Sequence, residues 1–494
     1  MTEYDVVVIG SGAGGSVMAY RLARAGLRVL VLEQGQREDT ETFSHNEYDM
    51  LPRLYKNGGM QTTADSDIVI MQGATVGGST VINNAIWLRA DLDRVLGDWA
   101  RYGAHVDRAR LEYAYTDLEG ALGVTPIPPV LMNAGTDLFV KGCQSLGLEA
   151  RALKHNRDTC IGCGFCNFGC RYDRKASMLV TFIPWAEARG ARVLDQVRNV
   201  ELVHTGDRVS AVNYTRFGRA YSVSPDKVVV SCGAIGSSAL LLHSAIRTVR
   251  PVGSGFHMLG GSLVAALSPT RLDSFDGIGL TYMLADTSEY VLETFFAPPA
   301  AFAISLNGMM STHAAHMANY AFLAEAGAMV GMEPTGSITL EDDKPVIRYQ
   351  MSDADRARLV HGLTRLSEIY LKGGATEVYP GTFGDLTLRS LADLPKIAQA
   401  VTRAEDLLLG SAHPQGGNPM SDDPKRGVVD PDFRVHGYRN LYVADSSVFP
   451  SNLWANCQAT VMAMAYLAAD SVLGASGTRT AATPNIRSHA ASGS

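Results

Sequence analysis

The stretch that decides the fold is DVVVIGSGAGGSVMAYRLARAGLRVLVLE, residues 5–33. Residues 5–9 are a short, β-branched apolar run, the pattern of a parallel strand buried on both faces. The run opens directly into Gly10-Ser11-Gly12-Ala13-Gly14-Gly15, a G-x-G-x-x-G turn. Over residues 16–25 the apolar positions Val17, Tyr20, Leu22 and Ala23 share a helical face, and Gly26 stops the helix. Residues 27–32 form a second buried strand that ends in Glu33. Strand, glycine turn, helix and strand together make the unit that seats a pyrophosphate on the amides of a helix N-terminus. Gly10, Gly12 and Gly15 supply the tight turn and the close backbone approach. Glu33, eighteen residues after Gly15, is placed to accept hydrogen bonds from a ribose diol. This stretch implies a dinucleotide and leaves FAD and NAD both open.

Around that unit, 494 residues are enough for a large core and more than one domain. A net charge of −7, with no basic patch interleaved with aromatics, argues against nucleic acid or an anionic membrane as the main partner. The longest uncharged run, residues 294–324, has the length of a membrane span. It also carries Pro298, Pro299, Asn307, His313, His316 and Asn319, so it is expected to serve as a greasy substrate cavity or a peripheral membrane face and not as a transmembrane segment. With the first strand starting at Asp5, no signal peptide is expected, and a cytoplasmic location with free thiols follows. Residues 475–494, rich in Ala, Ser, Thr and Gly, are expected to be disordered.

Residues 35–72 show no periodicity and are expected to form a long excursion over the surface or the cofactor. They lead into QGATVGGSTVINN, residues 72–84, whose glycines and small hydroxyls let backbone amides approach a flat ligand or a diphosphate. The pairing of the N-terminal unit with VGGSTVINN resembles the FAD-dependent glucose–methanol–choline (GMC) oxidoreductases. The resemblance implies that this segment lies over a flavin, with Gly77, Gly78, Ser79 and Asn83 in contact with FAD and Asn84 beside them.

Residues 91–145 are mostly helical in pattern and break at Pro126-Ile127-Pro128-Pro129. Next, four of the seven cysteines fall within eleven residues, Cys160, Cys163, Cys166 and Cys170, spaced C-x2-C-x2-C-x3-C. That is the spacing of a ferredoxin cluster loop, although Arg171 stands where proline would follow. Three readings stay open: a 3Fe–4S or 4Fe–4S cluster, a metal-free structural loop, and zinc, which the short spacing disfavours. The loop also resembles that of iron–sulfur flavin sugar dehydrogenases, in which Cys160, Cys166 and Cys170 would fit a three-iron cluster. A metal-free loop of this kind resembles long-chain alcohol oxidases and cholesterol-oxidase-like members.

Residues 184–189 form a short helix with proline in its first turn, and residues 191–203 are strand material. The resemblance places a valine here against the adenine, assigned to Val197. Residues 227–231 are another buried strand, running into Cys232-Gly233-Ala234-Ile235-Gly236-Ser237-Ser238 and a helix over 239–245. This looks like the second family signature, with Gly233 approaching the diphosphate. From about residue 250 to 404, alternation at 337–340 and 345–351 and a helix over 353–371 indicate an antiparallel sheet with helices on one face. His257, His313 and His316 in this part are read as packing or hydrogen-bonding residues, since no partner motif flanks them.

The C-terminal end carries the chemistry. HPQGGNPM (413–420), a strand over 441–444 ending at Asp445, and NCQATVMAMA (456–465) opening a helix over 459–473 together resemble the family's C-terminus. His413 matches its active-site histidine and Asn456 its second polar residue. Cys457 departs from the usual Asn-Pro and brings a seventh thiol near the flavin. The resemblance gives Asp445 to the FAD ribityl or diphosphate and places Thr460 among the cofactor contacts. Oxidising an alcohol requires a base for the hydroxyl proton, an orienting group for the oxygen and a hydride acceptor; imidazole, carboxamide and flavin supply these.

The expected fold class is α/β (α+β overall), a Rossmann-like FAD-binding domain with a second domain built on an antiparallel sheet covered by helices. Residues 1–90, 191–250 and 405–474 are assigned to the first domain, and 91–190 and 251–404 to the second. The expected function is FAD-dependent oxidation of an apolar or partly apolar alcohol to an aldehyde or ketone, by hydride transfer to flavin N5 with His413 as base. Electrons then pass to an acceptor protein through an iron–sulfur cluster, or to oxygen if the cysteine loop holds no metal. An electron-transfer flavoprotein subunit and an NAD-binding sensor are the readings from other classes.

Overall fold

The computed structural model describes residues 4–474; the 475–494 tail lies outside the described residues. Val6–Ile9 is buried along its whole length and occupies the middle of a five-stranded parallel sheet. Its order is Leu441–Val443, Lys227–Val230, Val6–Ile9, Val29–Leu32, Arg192–Leu194. A strand paired on both sides and covered by layers above and below has no solvent face to keep polar, so it reads as an unbroken apolar run. The helix after it, Ala13–Arg24, lies against Gln458–Leu473 from the other end of the chain. Arg21, 8% exposed, fixes the pair by stacking on the Tyr466 ring and bridging Asp470 at 2.9 Å.

Both glycine-led helices start earlier than periodicity indicates, at Ala13 instead of Ser16 and at Gly233 instead of Ala239. Glycine and serine have weak helix propensity, so their helical turns are imposed by the strand behind them. Residues 191–203 are one strand in sequence but two in space. Arg192–Leu194 ends the parallel sheet, and Val197–Thr205 begins a three-stranded antiparallel sheet with Arg208–Arg216 and Arg219–Val223. The break falls at Gln196, whose φ of +54° an extended strand cannot contain. The excursion over 35–72 is partly ordered: Asn46 caps the helix Glu47–Leu54 by accepting from the Tyr48 amide at 3.0 Å, and Ile68–Ile70 is a strand.

The second layer system is a ten-stranded sheet organised on one long strand, Ser254–Leu267. That strand pairs with Leu323–Gly331 and with Leu409–Gly417. The helix Asp353–Gly373 covers the sheet. Ser352 caps its start by accepting from the Asp355 amide at 3.1 Å, and Gly374 ends it at φ +105°. Its buried face (Leu359, Leu363, Leu366, Ile369, Tyr370) meets the sheet and the helix Gly135–Ser145. Gly142 allows that helix pair to close, because a Cβ there would lie 1.9 Å from the Ile369 carbonyl oxygen. By packing, the helices Leu92–Arg101 and Arg108–Ala121 belong to the parallel-sheet core, while the strands Ile68–Ile70 and Leu409–Gly417 belong to the ten-stranded sheet.

The uncharged run over 294–324 is broken into the short helices Pro299–Ser305 and Ser311–Ala318. Among the described residues no helix is long and apolar enough to cross a membrane.

Candidate active site

One cavity of about 1170 Å³ runs from the first glycine turn, between the two sheets, to His413 and Asn456. At its nucleotide end the glycines divide by what their missing side chains face. Cβ atoms at Gly14 and Gly15 would lie 2.0 Å from the carbonyl oxygens of Ala444 and Gly10, so these two glycines close strand against helix. A Cβ at Gly12 would meet nothing nearer than the Gly78 Cα at 4.0 Å, and it would project into the cavity. Gly12 and Gly78 therefore bring two backbone segments together as a bare cradle, of the kind a diphosphate needs.

Gly10, Gly12, Glu33, Gly78, Ser79, Asn83, Val197, Gly233 and Asp445 all line this cavity, with His413 and Asn456. Three expected cofactor contacts do not. Gly15 turns inward against Gly10. Gly77, at φ +94°, forms the turn before Gly78, and its amide donates to Ser11 Oγ at 3.0 Å. Thr460 is fully buried, and its hydroxyl is engaged with Tyr115 Oη at 2.7 Å. Glu33 has a structural task besides the expected one: it accepts from the Ser11 amide and hydroxyl at 2.9 and 2.7 Å and from the Gly35 amide at 2.8 Å. Asp445 likewise accepts from the amides of Gly233 and Ser447 at 2.9 and 2.8 Å and from Ser237 Oγ, joining the Gly233-led helix to the end of the last strand.

At the other end, His413 is carried by the strand Leu409–Gly417, opposite Leu259, and Asn456 by the turn before Gln458–Leu473. Asn456 Nδ2 stands 3.5 Å from His413 Nε2. Burial, with no anion beside it, pulls the imidazole below its ordinary 6.5 to about 4, so the His413 ring is neutral at neutral pH. Asn456 Oδ1 and Gln458 Nε2 are buried without a protein partner, and both residues line the cavity. An unmet acceptor and an unmet donor side by side fit a ligand with both kinds of group, as a flavin ring has. The histidines His257, His313 and His316 bond to the carbonyls of Gly255, Ala303 and Asn307 at 3.0, 2.9 and 3.2 Å, in keeping with packing roles.

Sequence reasoning missed Glu293. It is 5% exposed, lines the cavity, and accepts from Asn456 Nδ2 at 3.3 Å. Burial raises its carboxyl from 4.5 to about 7, the Asn456 bond only partly opposing this. Glu325, paired opposite Phe295 on the neighbouring strand, is also buried and pushed up to about 8 by burial, with Ser305 Oγ donating to it at 2.8 Å. The available signal was position: these two glutamates bound the uncharged run 294–324 on either side.

The cysteine loop lies apart from these groups. Cys160, Cys163, Cys166 and Cys170 are free thiols around a cavity of about 20 Å³. That is room for about one water molecule. Among the described residues no group of three or more His, Cys, Asp or Glu side chains is placed to hold a metal ion. The loop instead braces the segment over the cradle. The buried Lys175 Nζ donates to the carbonyls of Val81, Asn83 and Cys166 at 2.6, 2.9 and 2.7 Å, and Arg157 reaches the Asn84 carbonyl. Burial alone would raise the Cys166 thiol, but the charges of Arg157 and Lys175 outweigh it and hold the thiol below its ordinary range.

Known proteins resemble this chain in sequence and fold. The GMC oxidoreductase models match residues 51–259 and 333–465, and an FAD binding domain model matches residues 5–59. An uncharacterized GMC-type oxidoreductase of Mycobacterium tuberculosis (strain CDC 1551 / Oshkosh) is 30% identical over 95% of this chain and 76% of its own length. A long-chain-alcohol oxidase of Arabidopsis thaliana is 26% identical over 94% of this chain and 68% of its own length. In fold, the chain is similar to pyridoxine 4-oxidase from Mesorbium loti, with a TM-score of 0.72 at 17% identity, over 96% of this chain and 99% of that one. The family models cover well over half of the sequence, and the chain belongs to the GMC oxidoreductase family.

Proposed function

We propose that this protein oxidises an alcohol, with His413 as the base and Asn456 as the group that holds the substrate oxygen. The observation that carries the reading is the convergence of His413 Nε2 and Asn456 Nδ2, 3.5 Å apart, on the cavity that also contains the Gly12–Gly78 cradle. When bound, the flavin supplies the hydride acceptor at N5. His413, neutral through the physiological range, takes the hydroxyl proton at Nε2. The Asn456 amide fixes the oxygen and so aims the carbon that loses hydride. Ile86, Leu280, Phe295 and Met329 line the same cavity, which suits an apolar or partly apolar alcohol. Glu33 and Val197 are proposed to meet the ribose and adenine of FAD, and Ser79, Asn83, Gly233 and Asp445 its diphosphate and ring. The division into FAD-binding and substrate-binding domains follows the sequence boundaries, adjusted for the helices and strands that pack across them.

Oxygen is the proposed electron acceptor, with hydrogen peroxide as product. The tight cysteine loop favours this over transfer through a cluster, and relatives named as a long-chain-alcohol oxidase and a cholesterol oxidase support it. The test is anaerobic bleaching of the flavin by a series of alcohols, with peroxide and iron assayed in parallel. Replacing His413 with Asn is expected to slow bleaching about 10²–10⁴-fold. Undiminished bleaching in that variant overturns the reading. Stoichiometric iron in the purified protein overturns the acceptor assignment alone.

A further inference from the structure

Cys457, where the family pattern has proline, has no part in the function proposed above. Its Sγ lies 3.8 Å from His413 Nδ1 and is the only partner of that nitrogen among the described residues. The other ring nitrogen, Nε2, faces Asn456 Nδ2 at 3.5 Å. An amide nitrogen carries hydrogens and no usable lone pair, so the ring nitrogen opposite it is the acceptor. The single ring proton of neutral His413 is then on Nδ1, directed at sulfur. We propose that Cys457 is a positioning residue that accepts the Nδ1 proton of His413 and so keeps Nε2 as the nitrogen that takes the substrate proton.

The inference rests on His413 being the base. A ring with its proton on Nε2 would present a donor to the substrate hydroxyl and could not take its proton. Free imidazole side chains are not confined to one tautomer, and which nitrogen is protonated is set by the bond the other makes. Here that partner is a neutral thiol, since burial pushes Cys457 up to about 12, against its own backbone amide. The titratable groups in direct contact with the catalytic pair are thus Cys457, at His413, and Glu293, at Asn456. The thiol forms no covalent bond in the reaction; the proton moves from alcohol oxygen to Nε2, and the Nδ1–H···S contact persists in the imidazolium.

The experiment uses FAD-loaded Cys457→Ser, Cys457→Val and Cys457→Ala, with flavin content measured in each. Serine keeps an acceptor at Nδ1, valine keeps the apolar volume without one, and alanine keeps neither. Expected for Val and Ala is a fall in kcat of about tenfold or more with KM nearly unchanged, and recovery to within about threefold in Ser. Imidazole ¹⁵N shifts of labelled holoenzyme, assigned with His413→Gln, are expected to show His413 protonated at Nδ1 in wild type and Ser, and mixed or protonated at Nε2 in Val and Ala. A wild-type ring protonated at Nε2 overturns the proposal even if a variant fails to fold, as do Val and Ala variants at wild-type kcat. Full activity in His413→Gln instead sinks the base assignment, which separates the two failures.

Discussion

Glu293→Gln isolates the energetic consequence of placing a carboxyl against Asn456, the proposed substrate-holding residue. Burial raises Glu293 from 4.5 to about 7, and at about 1.4 kcal/mol per pH unit that interval is worth about 3 kcal/mol. The sign follows from proton counting. Between pH 4.5 and 7 the unfolded chain has lost this proton and the folded one keeps it, so stability falls as pH rises through that window and levels off above it. Glutamine has no proton to lose and keeps an acceptor for Asn456 Nδ2. The variant should therefore gain on the wild type by about 3 kcal/mol between pH 4.5 and pH 8. An unfolding entropy of about 2.1 cal/mol/K per residue makes that about 3 °C in Tm for a chain of this size. Any cost of putting an amide where Oε2 has no partner is the same at both pH values, so the readout is the change in the Tm difference with pH. Thermal melts of the holoenzyme at several pH values measure it. A Tm difference that stays constant from pH 4.5 to pH 8 would refute the assignment of a buried, proton-holding carboxyl. Turnover in Glu293→Gln should stay within about threefold, whereas Glu293→Ala frees Asn456 and should cost about tenfold.

Gly12→Ala should fold but retain FAD poorly, since its methyl meets only open cradle, whereas Gly14→Ala should fail to accumulate because its methyl would lie 2.0 Å from the Ala444 oxygen; flavin absorbance and soluble yield separate the two. Lys175→Met strips a donor from three buried carbonyls, so a loss of about 3 kcal/mol and weaker flavin retention are expected in melts and in dialysis against chaotrope. Thr460→Val should lose only the bond to Tyr115, about 1 kcal/mol, with FAD content unchanged; a flavin-free product would restore Thr460 to the cofactor site.

The nucleotide unit was legible because its determinants are local. The apolar run of Val6–Ile9, the glycine turn and the terminal Glu33 lie within one short stretch. The pair His413 and Asn456 was legible only through resemblance, since nothing in the spacing of two residues so far apart says that they meet. Position within an element was harder to read. Gly12 and Gly15 are the same residue in the same motif, and only the neighbouring strand decides that one faces the cavity and the other Gly10. Thr460 was hard to read for the same reason: the helix periodicity allows it to face either way, and Tyr115, on a helix from another part of the chain, meets its hydroxyl. The cysteine spacing was compatible with a cluster, but spacing does not report how the side chains are placed, and among the described residues no group of three or more ligands is placed to hold a metal ion.

The proposed catalytic pair is assembled from both layer systems. His413 rides on the ten-stranded sheet through its pairing with Leu259, while Asn456 precedes the helix that packs against Ala13–Arg24. A small slide of one layer over the other would separate Nε2 from the carboxamide, so something must hold the register at the seam. Glu293 does this from the sheet side by holding Asn456, and Cys457 from the helix side by meeting His413. The two contacts cross: each layer grips the other's member of the His413–Asn456 pair. Neither gripping group is charged while Glu293 keeps its proton, so the seam avoids the desolvation cost of a buried ion pair and leaves the imidazole no anion that would raise its proton affinity. A carboxylate in place of Cys457 would tighten the grip, yet it would favour a charged ring before substrate arrived. The weak thiol contact is thus one that the proposed base, if it must start neutral, can tolerate.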